Sequence, residues 1–334
     1  MKRSILTAWV LIAVVFGLGL LGLAGRGGTA EKKEKLRVPD PGVSDSAVTI
    51  RAKIDGTVQE MDLDAYLQGV LRAEMPASFE LEALKAQAVA ARTETLYKAE
   101  NGPSANHPEA DICNDINCCQ AFKTVEAADA AWGADAAYYA AKIATAVRET
   151  DGMTILYEDK PILAAFFSSA SGQTNQSGDV WLNNLPYLQS VKSPEGENEV
   201  PNYYSVVTLG EEEFKRIFLA EYPEAKLEGT AKDWFGEETR NDSDMVLSIV
   251  IGGVEVKGTK VRSLFSLRSA AFTVSAENGS IVFHVTGYGH GVGMSQYGAN
   301  VMASEGKDYR QILSWYYTGV TIGPYTPKNL ATGE

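Results

Sequence analysis

Glu74 occupies a position from which a carboxyl group could act as an acid. Leu63, Tyr66, Leu67, Val70 and Leu71 recur at the i, i+3, i+4, i+7, i+8 spacing of a buried helical stripe, and Glu74 takes the next place on it. Burial disfavours the charged form, so the spacing predicts a pKa raised toward the range useful to a general acid. Lys85 and Arg92 fall on the inward stripe of the following segment, with Leu81, Leu84, Ala88 and Val89. Such long cations either snorkel at the edge of that stripe or reach toward Glu74 and a substrate. Contact with Glu74 would lower its pKa and oppose an acid role.

Three further groups of residues carry chemistry. His107, Cys113 and Cys119 are spaced six and six, with Cys118 beside the last. One imidazole and two thiolates suit tetrahedral zinc with an open fourth position, and a Cys113–Cys119 disulfide is the structural alternative. His107-Pro108-Glu109 also matches the His-x-Glu of zinc deaminases, but the later Pro-Cys-x-x-Cys element is missing. The run Gly287 to Gly298 holds His290, Ser295 and Gln296 among five glycines, which lets backbone approach a ligand. It is not a phosphate loop, because no Gly-Lys-Ser/Thr is present. Ser168, Ser169 and Thr174 lie in a hydroxyl-rich loop after an apolar run, with no Gly-x-Ser-x-Gly elbow to make a serine nucleophile with His290.

The elements that must position these groups read as follows. Val48, Ile50, Ala52 and Ile54 alternate, and Asp55-Gly56 predicts a hairpin. Helices are predicted over 62–74 and about 79–98, separated where Pro76 stops the first, with Ser78 as N-cap of the second. Residues 101–120 read as loop, and an alanine-rich helix runs from about 134 to 149. Met153–Tyr157 and Ile162–Phe167 read as paired strands, and Val246–Ile251, Ala271–Val274 and Ile281–Val285 carry strand signals. A last helix is expected near Tyr309–Tyr317, ended by Gly319. Helices and strands are segregated rather than alternating, so the expected class is α+β, with an inserted lobe at 195–250.

The chain has 334 residues and a net charge of −13. Without a basic patch it lacks the electrostatic footprint of a nucleic-acid binder. Ser4 to Gly25 is apolar and uncharged behind Lys2 and Arg3, long enough for a membrane span. The expectation is a cytoplasmic stub and single-pass anchor over 1–26, a linker over 27–46, and an ectodomain over 47–334 outside the cytoplasm. Signal cleavage near Leu23-Ala24-Gly25 is the alternative.

Taken together, these segments resemble one family. Tyr66, Gly69-Val70, Glu74-Met75-Pro76 and Glu82-Ala83-Leu84-Lys85-Ala86-Gln87-Ala88-Val89-Ala90-Ala91-Arg92-Thr93 look like the signature of stage II sporulation protein D. The resemblance continues through Cys119-Gln120-Ala121, Thr150-Asp151-Gly152, Phe166-Phe167-Ser168, Asp179-Val180-Trp181, Pro186-Tyr187-Leu188 and Gly289 to Gln296. Gly172-Gln173 departs from the paired glycines of many relatives. The resemblance implies a lytic transglycosylase acting on peptidoglycan glycan strands stripped of stem peptides, at the mother-cell membrane during engulfment. Its implied partners are the amidase stage II sporulation protein P and the membrane protein stage II sporulation protein M.

By the same resemblance, Glu74 is the essential acid, and His107, Cys113 and Cys119 form a zinc site. The implied substrate-binding set is Lys85, Gln87, Arg92, Ser168, Ser169, Thr174, Tyr187, His290, Ser295 and Gln296. In that mechanism Glu74 protonates the leaving oxygen, and its carboxylate then takes the proton of the muramic C6 hydroxyl as that oxygen closes onto C1. A non-catalytic glycan-binding enhancer of an amidase fits the same features. Zinc amidase activity fits poorly, because His107, His284 and His290 are in no metalloprotease spacing.

Overall fold

Alternation along Val48–Ile54 (β1) buries Val48, Ile50, Ala52 and Ile54 on one face. The chain reverses at Asp55 and Gly56, with φ of 50° and 83°, and returns antiparallel as Thr57–Asp62 (β2). Both turn residues are left-handed, as a two-residue hairpin loop of this hand requires. The structure, a computed structural model, describes residues 44–102, 104–328 and 330–332.

Helix α1 (Leu63–Glu74) follows without a break and buries the predicted stripe. Each fully buried side chain of that stripe contributes roughly 1.5–3 kcal/mol before entropy is set against it. Pro76 ends the helix as expected. Helix α2 (Leu81–Asn101) is capped by Glu80 rather than Ser78, and without a side-chain cap bond. The reason is a turn at 76–79, where the Phe79 N–H bonds to the Pro76 carbonyl at 3.0 Å, while the Glu80 N–H donates to Asn300. α2 is buried on almost every side, and its alanines let α1 and the later elements of this core approach closely.

The loop after α2 contains the short strand β3 (Ile112–Cys113), parallel to β1. Helix α3 (Val125–Trp132), which the sequence reading lacked, precedes α4 (Ala136–Arg148). Met153–Tyr157 (β4) pairs with Lys160–Pro161 (β5), and of the run Ile162–Phe167 only Ile162 bonds back to it, its N–H donating to the Ile155 carbonyl at 3.2 Å. Only Phe166–Phe167 (β6) of that run is strand, and it pairs much later in the chain. Helix α5 (Ser177–Val180) is a single turn.

The next stretch builds two three-stranded antiparallel sheets. Tyr204–Gly210 (β7) leads into α6 (Glu211–Glu221), then Phe235–Arg240 (β8), Val246–Ile251 (β9), Val254–Lys257 (β10) and α7 (Gly258–Leu264). Phe272–Glu277 (β11) and Ser280–Thr286 (β12) follow, and the sheets run β10-β9-β8 and β11-β12-β7. Phe214, Phe218, Trp234, Phe265 and Phe283 fill the core between them.

The chain then returns to the first core. Met294–Ser295 (β13) pairs in parallel with β6 and runs into α8 (Gln296–Ser304), another helix the sequence reading lacked. Helix α9 (Tyr309–Tyr316) starts on an Asp308–Gln311 capping box. Thr321–Pro324 (β14) pairs with β4, and Ala331–Thr332 (β15) with β1. The α1, α2, α4, α8 and α9 helices share this core. The architecture is mixed α and β with several antiparallel sheets, as the segregated pattern predicts.

One expectation is corrected. Among the described residues no helix is long and apolar enough to cross a membrane, which overturns placement of the chain as a single-pass membrane protein. The stretch read as an anchor, 1–26, lies outside the described residues, as does the linker through residue 43. Asp45, at the end of that linker, is buried against Arg92.

Candidate active site

Glu74 is the last residue of α1, partly buried, and its Oε1 accepts the Ala121 N–H at 2.6 Å. Burial raises its pKa above the usual carboxylate value, and hydrogen bonds from the Ala121 N–H and the Gln296 side chain oppose the shift. No cation contributes. The carboxyl faces a cleft of about 760 Å³, whose walls include Phe167, Ser168, Trp181, Tyr288, His290 and Gln296.

The loop that reaches Glu74 is held at several points. Gly69 of α1 allows the Phe122 ring to lie against the helix, where any Cβ would come within 2.1 Å of that ring. The Lys123 N–H bonds to the Gly69 carbonyl at 3.0 Å. Gln120 is buried and donates to Thr95 Oγ1 at 3.0 Å and to the Ala91 carbonyl at 3.3 Å. Lys98 Nζ donates to the Cys118 carbonyl at 2.8 Å. Ala121 is thereby fixed opposite the end of α1.

Just before this point the chain gathers four metal-ligand groups. His107 Nε2 and the sulfurs of Cys113, Cys118 and Cys119 all lie within 4.8 Å of one another, and no disulfide forms. Two zinc-bound sulfurs in a tetrahedron stand about 3.8 Å apart at the usual bond length. The Cys118 and Cys119 sulfurs are 3.7 Å apart. His107 Nδ1 lies 3.0 Å from the Ala110 carbonyl, which takes its proton and leaves Nε2 as the ligand atom. The donor set therefore fits a metal ion, with Cys118 as a fourth ligand where the sequence reading left an open position.

The structure separates the other expected residues into two sets. Gln296, Ser168 and His290 line the cleft, and Gln87 accepts from Gln296 Nε2 at 3.4 Å. The His290 pKa is lowered to about 4 by burial and by Arg262, so the ring is neutral. Its Nδ1 accepts the Val292 N–H at 3.1 Å, placing the proton on Nε2, and it sits between the Phe167 and Trp181 rings. Lys85 instead bridges Glu82 and Glu149, both at 2.7 Å. Arg92 is buried and bonds to Asp45 and to the Met153 carbonyl.

The remaining residues of the second set do not line the cleft themselves and are held by their neighbours. Thr174 Oγ1 accepts the Val191 N–H, and the Tyr187 hydroxyl accepts the Leu163 N–H. Ser295 caps α8 and donates to Glu195. Ser169 is buried and pairs through its backbone with Tyr288.

Sequence reasoning passed over Glu94, which lines the same cleft, accepts the Ala164 N–H at 3.1 Å and pairs with Lys98 at 3.4 Å. It also passed over Cys118 as a ligand, Gln120 as a strut, and the Trp181 and Tyr288 rings. Adjacency to Cys119 was the available signal for the first two.

The stretch that carries this carboxyl and the His-Cys cluster is also the one that a family model matches. The family model for stage II sporulation protein (SpoIID) matches residues 53–157, the stretch that builds α1, α2 and the cluster. The chain belongs to the stage II sporulation protein D family. It is 36% identical over 298 residues to stage II sporulation protein D of Bacillus amyloliquefaciens, covering 88% of this chain and 84% of that protein. It is 33% identical to stage II sporulation protein D of Bacillus subtilis (strain 168), covering 96% of each. It is also 28% identical to the amidase enhancer of Bacillus subtilis (strain 168), over 78% of this chain and 40% of that protein.

Proposed function

We propose that the chain is a lytic transglycosylase. It cleaves the bond between N-acetylmuramic acid and N-acetylglucosamine in peptide-stripped glycan strands and leaves 1,6-anhydro ends. The observation that carries this reading is the partly buried Glu74 carboxyl, facing a cleft, accepting the Ala121 N–H and lying beside Gln296 in the cleft wall. Burial raises the Glu74 pKa and so favours the protonated form that the leaving oxygen requires. The Ala121 N–H and Gln296 then stabilise the carboxylate that forms, which accepts the proton of the muramic C6 hydroxyl. That hydroxyl belongs to the substrate, so its high effective concentration replaces a bound water. Trp181 and Tyr288 offer faces for sugar rings.

Zinc is the metal that best suits three thiolates and an imidazole. Held by His107, Cys113, Cys118 and Cys119, it would fix the loop that carries Ala121. With four protein ligands it has a structural role. The proposed cellular setting is engulfment during sporulation, alongside the peptide-removing stage II sporulation protein P and stage II sporulation protein M.

The test is mass spectrometry of amidase-stripped strands digested by the purified chain and by Glu74→Gln. Anhydro ends from the wild type alone are expected. Equal yields from the variant, or reducing ends in place of anhydro ends, would overturn the assignment. Likeness to the amidase enhancer supports a second reading, a glycan-binding stimulator of an amidase. That reading gains if the chain produces no new sugar ends yet accelerates an added amidase.

A further inference from the structure

The cleft continues past Glu74. Ala73, Glu74, Ser168 and Gln296 also wall a second recess of about 340 Å³, whose other lining includes Arg72, Lys123, Trp132 and Tyr297. Two cations beside the candidate acid stand out in a chain of net charge −13. Among the described residues neither forms an ion pair within 4 Å. Arg72 Nη2 donates to Gln68 Oε1 at 3.3 Å, a neutral acceptor, and its Nε is buried without any. Glu126 and Asp129 of α3 act on Arg72 only from beyond ion-pair distance. A partly buried guanidinium without a carboxylate partner, lining the same recess as a second cation, is complementary to an anion.

If the ligand is a glycan strand, its chemistry narrows the choice. N-Acetylglucosamine is neutral. The muramic residue carries a lactyl group that is an amide while a stem peptide is attached and a carboxylate once the peptide has been removed. Trp132, partly buried at the same recess, offers an apolar face for the ring. We infer that this recess is the subsite for a muramic residue with a free lactyl carboxylate, bound by Arg72 and Lys123. The inference rests on the glycan-strand reading above. It assigns the preference for peptide-stripped strands, already part of that reading, to two named side chains.

The experiment uses the full chain carrying Glu74→Gln, so that the ligand is not cut. Calorimetry compares a tetrasaccharide of two disaccharide units bearing lactyl carboxylates with the same sugar after its carboxyls are reduced to alcohols. The carboxylate form is expected to bind at least about tenfold tighter, in line with charge-assisted hydrogen bonds. Adding Arg72→Gln and Lys123→Gln is expected to erase the difference. Equal binding of the two sugars without those substitutions, or a preference that survives them, overturns the subsite. The wild type's yield of anhydro ends is scored separately. A preference without new ends removes the transglycosylase reading and leaves the subsite standing, whereas new ends without a preference do the reverse.

Discussion

The core around α2 encloses Asp45, Arg92, Glu94 and His107, with Glu195 buried nearby under Ser193 and Ser295. The core between β9 and β12 encloses stacked rings, Phe214 on Phe265 at 4.7 Å and on Phe218 at 5.7 Å, and its region buries no charged side chain among the described residues. Buried charge costs free energy unless it is paired and hydrogen-bonded, and each of the first region's charges has acquired such partners. The second region has avoided the expense. The family model matches within the first. Polar burial is therefore concentrated where chemistry is expected, and the aromatic core supplies rigidity without competing for it.

The sharpest way to break this contrast is Glu74→Gln. Loss of a general acid lowers the rate of strand cleavage about 10²- to 10⁴-fold. The folded pKa of Glu74 lies above its unfolded value. The associated stability is full below the unfolded pKa and is lost as pH rises through the folded one. At neutral pH the glutamine variant should therefore melt no lower than the wild type, as thermal unfolding would show. A clear drop in melting temperature would make Glu74 a structural residue.

Two substitutions test the cores directly. Arg92→Met strands the Asp45 carboxylate and Phe214→Ala opens a cavity, so each is expected to cost about 3–5 kcal/mol in urea unfolding. Cleavage per folded molecule should remain near the wild-type level in both. A selective loss of kcat in Arg92→Met would return that residue to the site.

A smaller effect is expected from Cys118→Ser. Elemental analysis should fall from about one zinc per chain, and cleavage should drop about 10- to 100-fold as Ala121 loosens. Retention of metal in the variant would reduce the ligand set to three. The smallest effect belongs to Gln296→Leu. Removing a donor to the carboxylate raises the Glu74 pKa further, so the alkaline limb of the pH–rate profile should move to higher pH. A limb that moves down would mean that Gln296 favours the protonated form.

Local periodicity made much of the first region legible. The stripe to Glu74, the Asp55-Gly56 hairpin, the alanine-rich helix and the Asp308-led last helix all depend on neighbours within a few residues. What escaped depends on distant ones. Arg92 is indistinguishable in sequence from a cation reaching into a cleft, because Asp45 lies 47 residues away. Lys85 turns to Glu149 for the same reason. β6 needs β13, and α8 begins at a serine whose side chain caps Gly298 inside a run that reads only as glycine-rich loop. The cluster itself was legible as three ligands, and the fourth, Cys118, emerged only from the placement of its sulfur among the other three ligand atoms.

The late position of Gln296, which shares the cleft wall with Glu74, has a consequence for the growing chain. The acid is synthesised more than two hundred residues before the amide that completes its surroundings. At ordinary ribosomal speeds that interval lasts roughly 10 to 45 s. Throughout it, β6 also lacks its partner strand. The cleft around Glu74 is thus incomplete in every unfinished chain, and a protease that clipped the protein ahead of β13 would remove Gln296 from its wall without touching the acid.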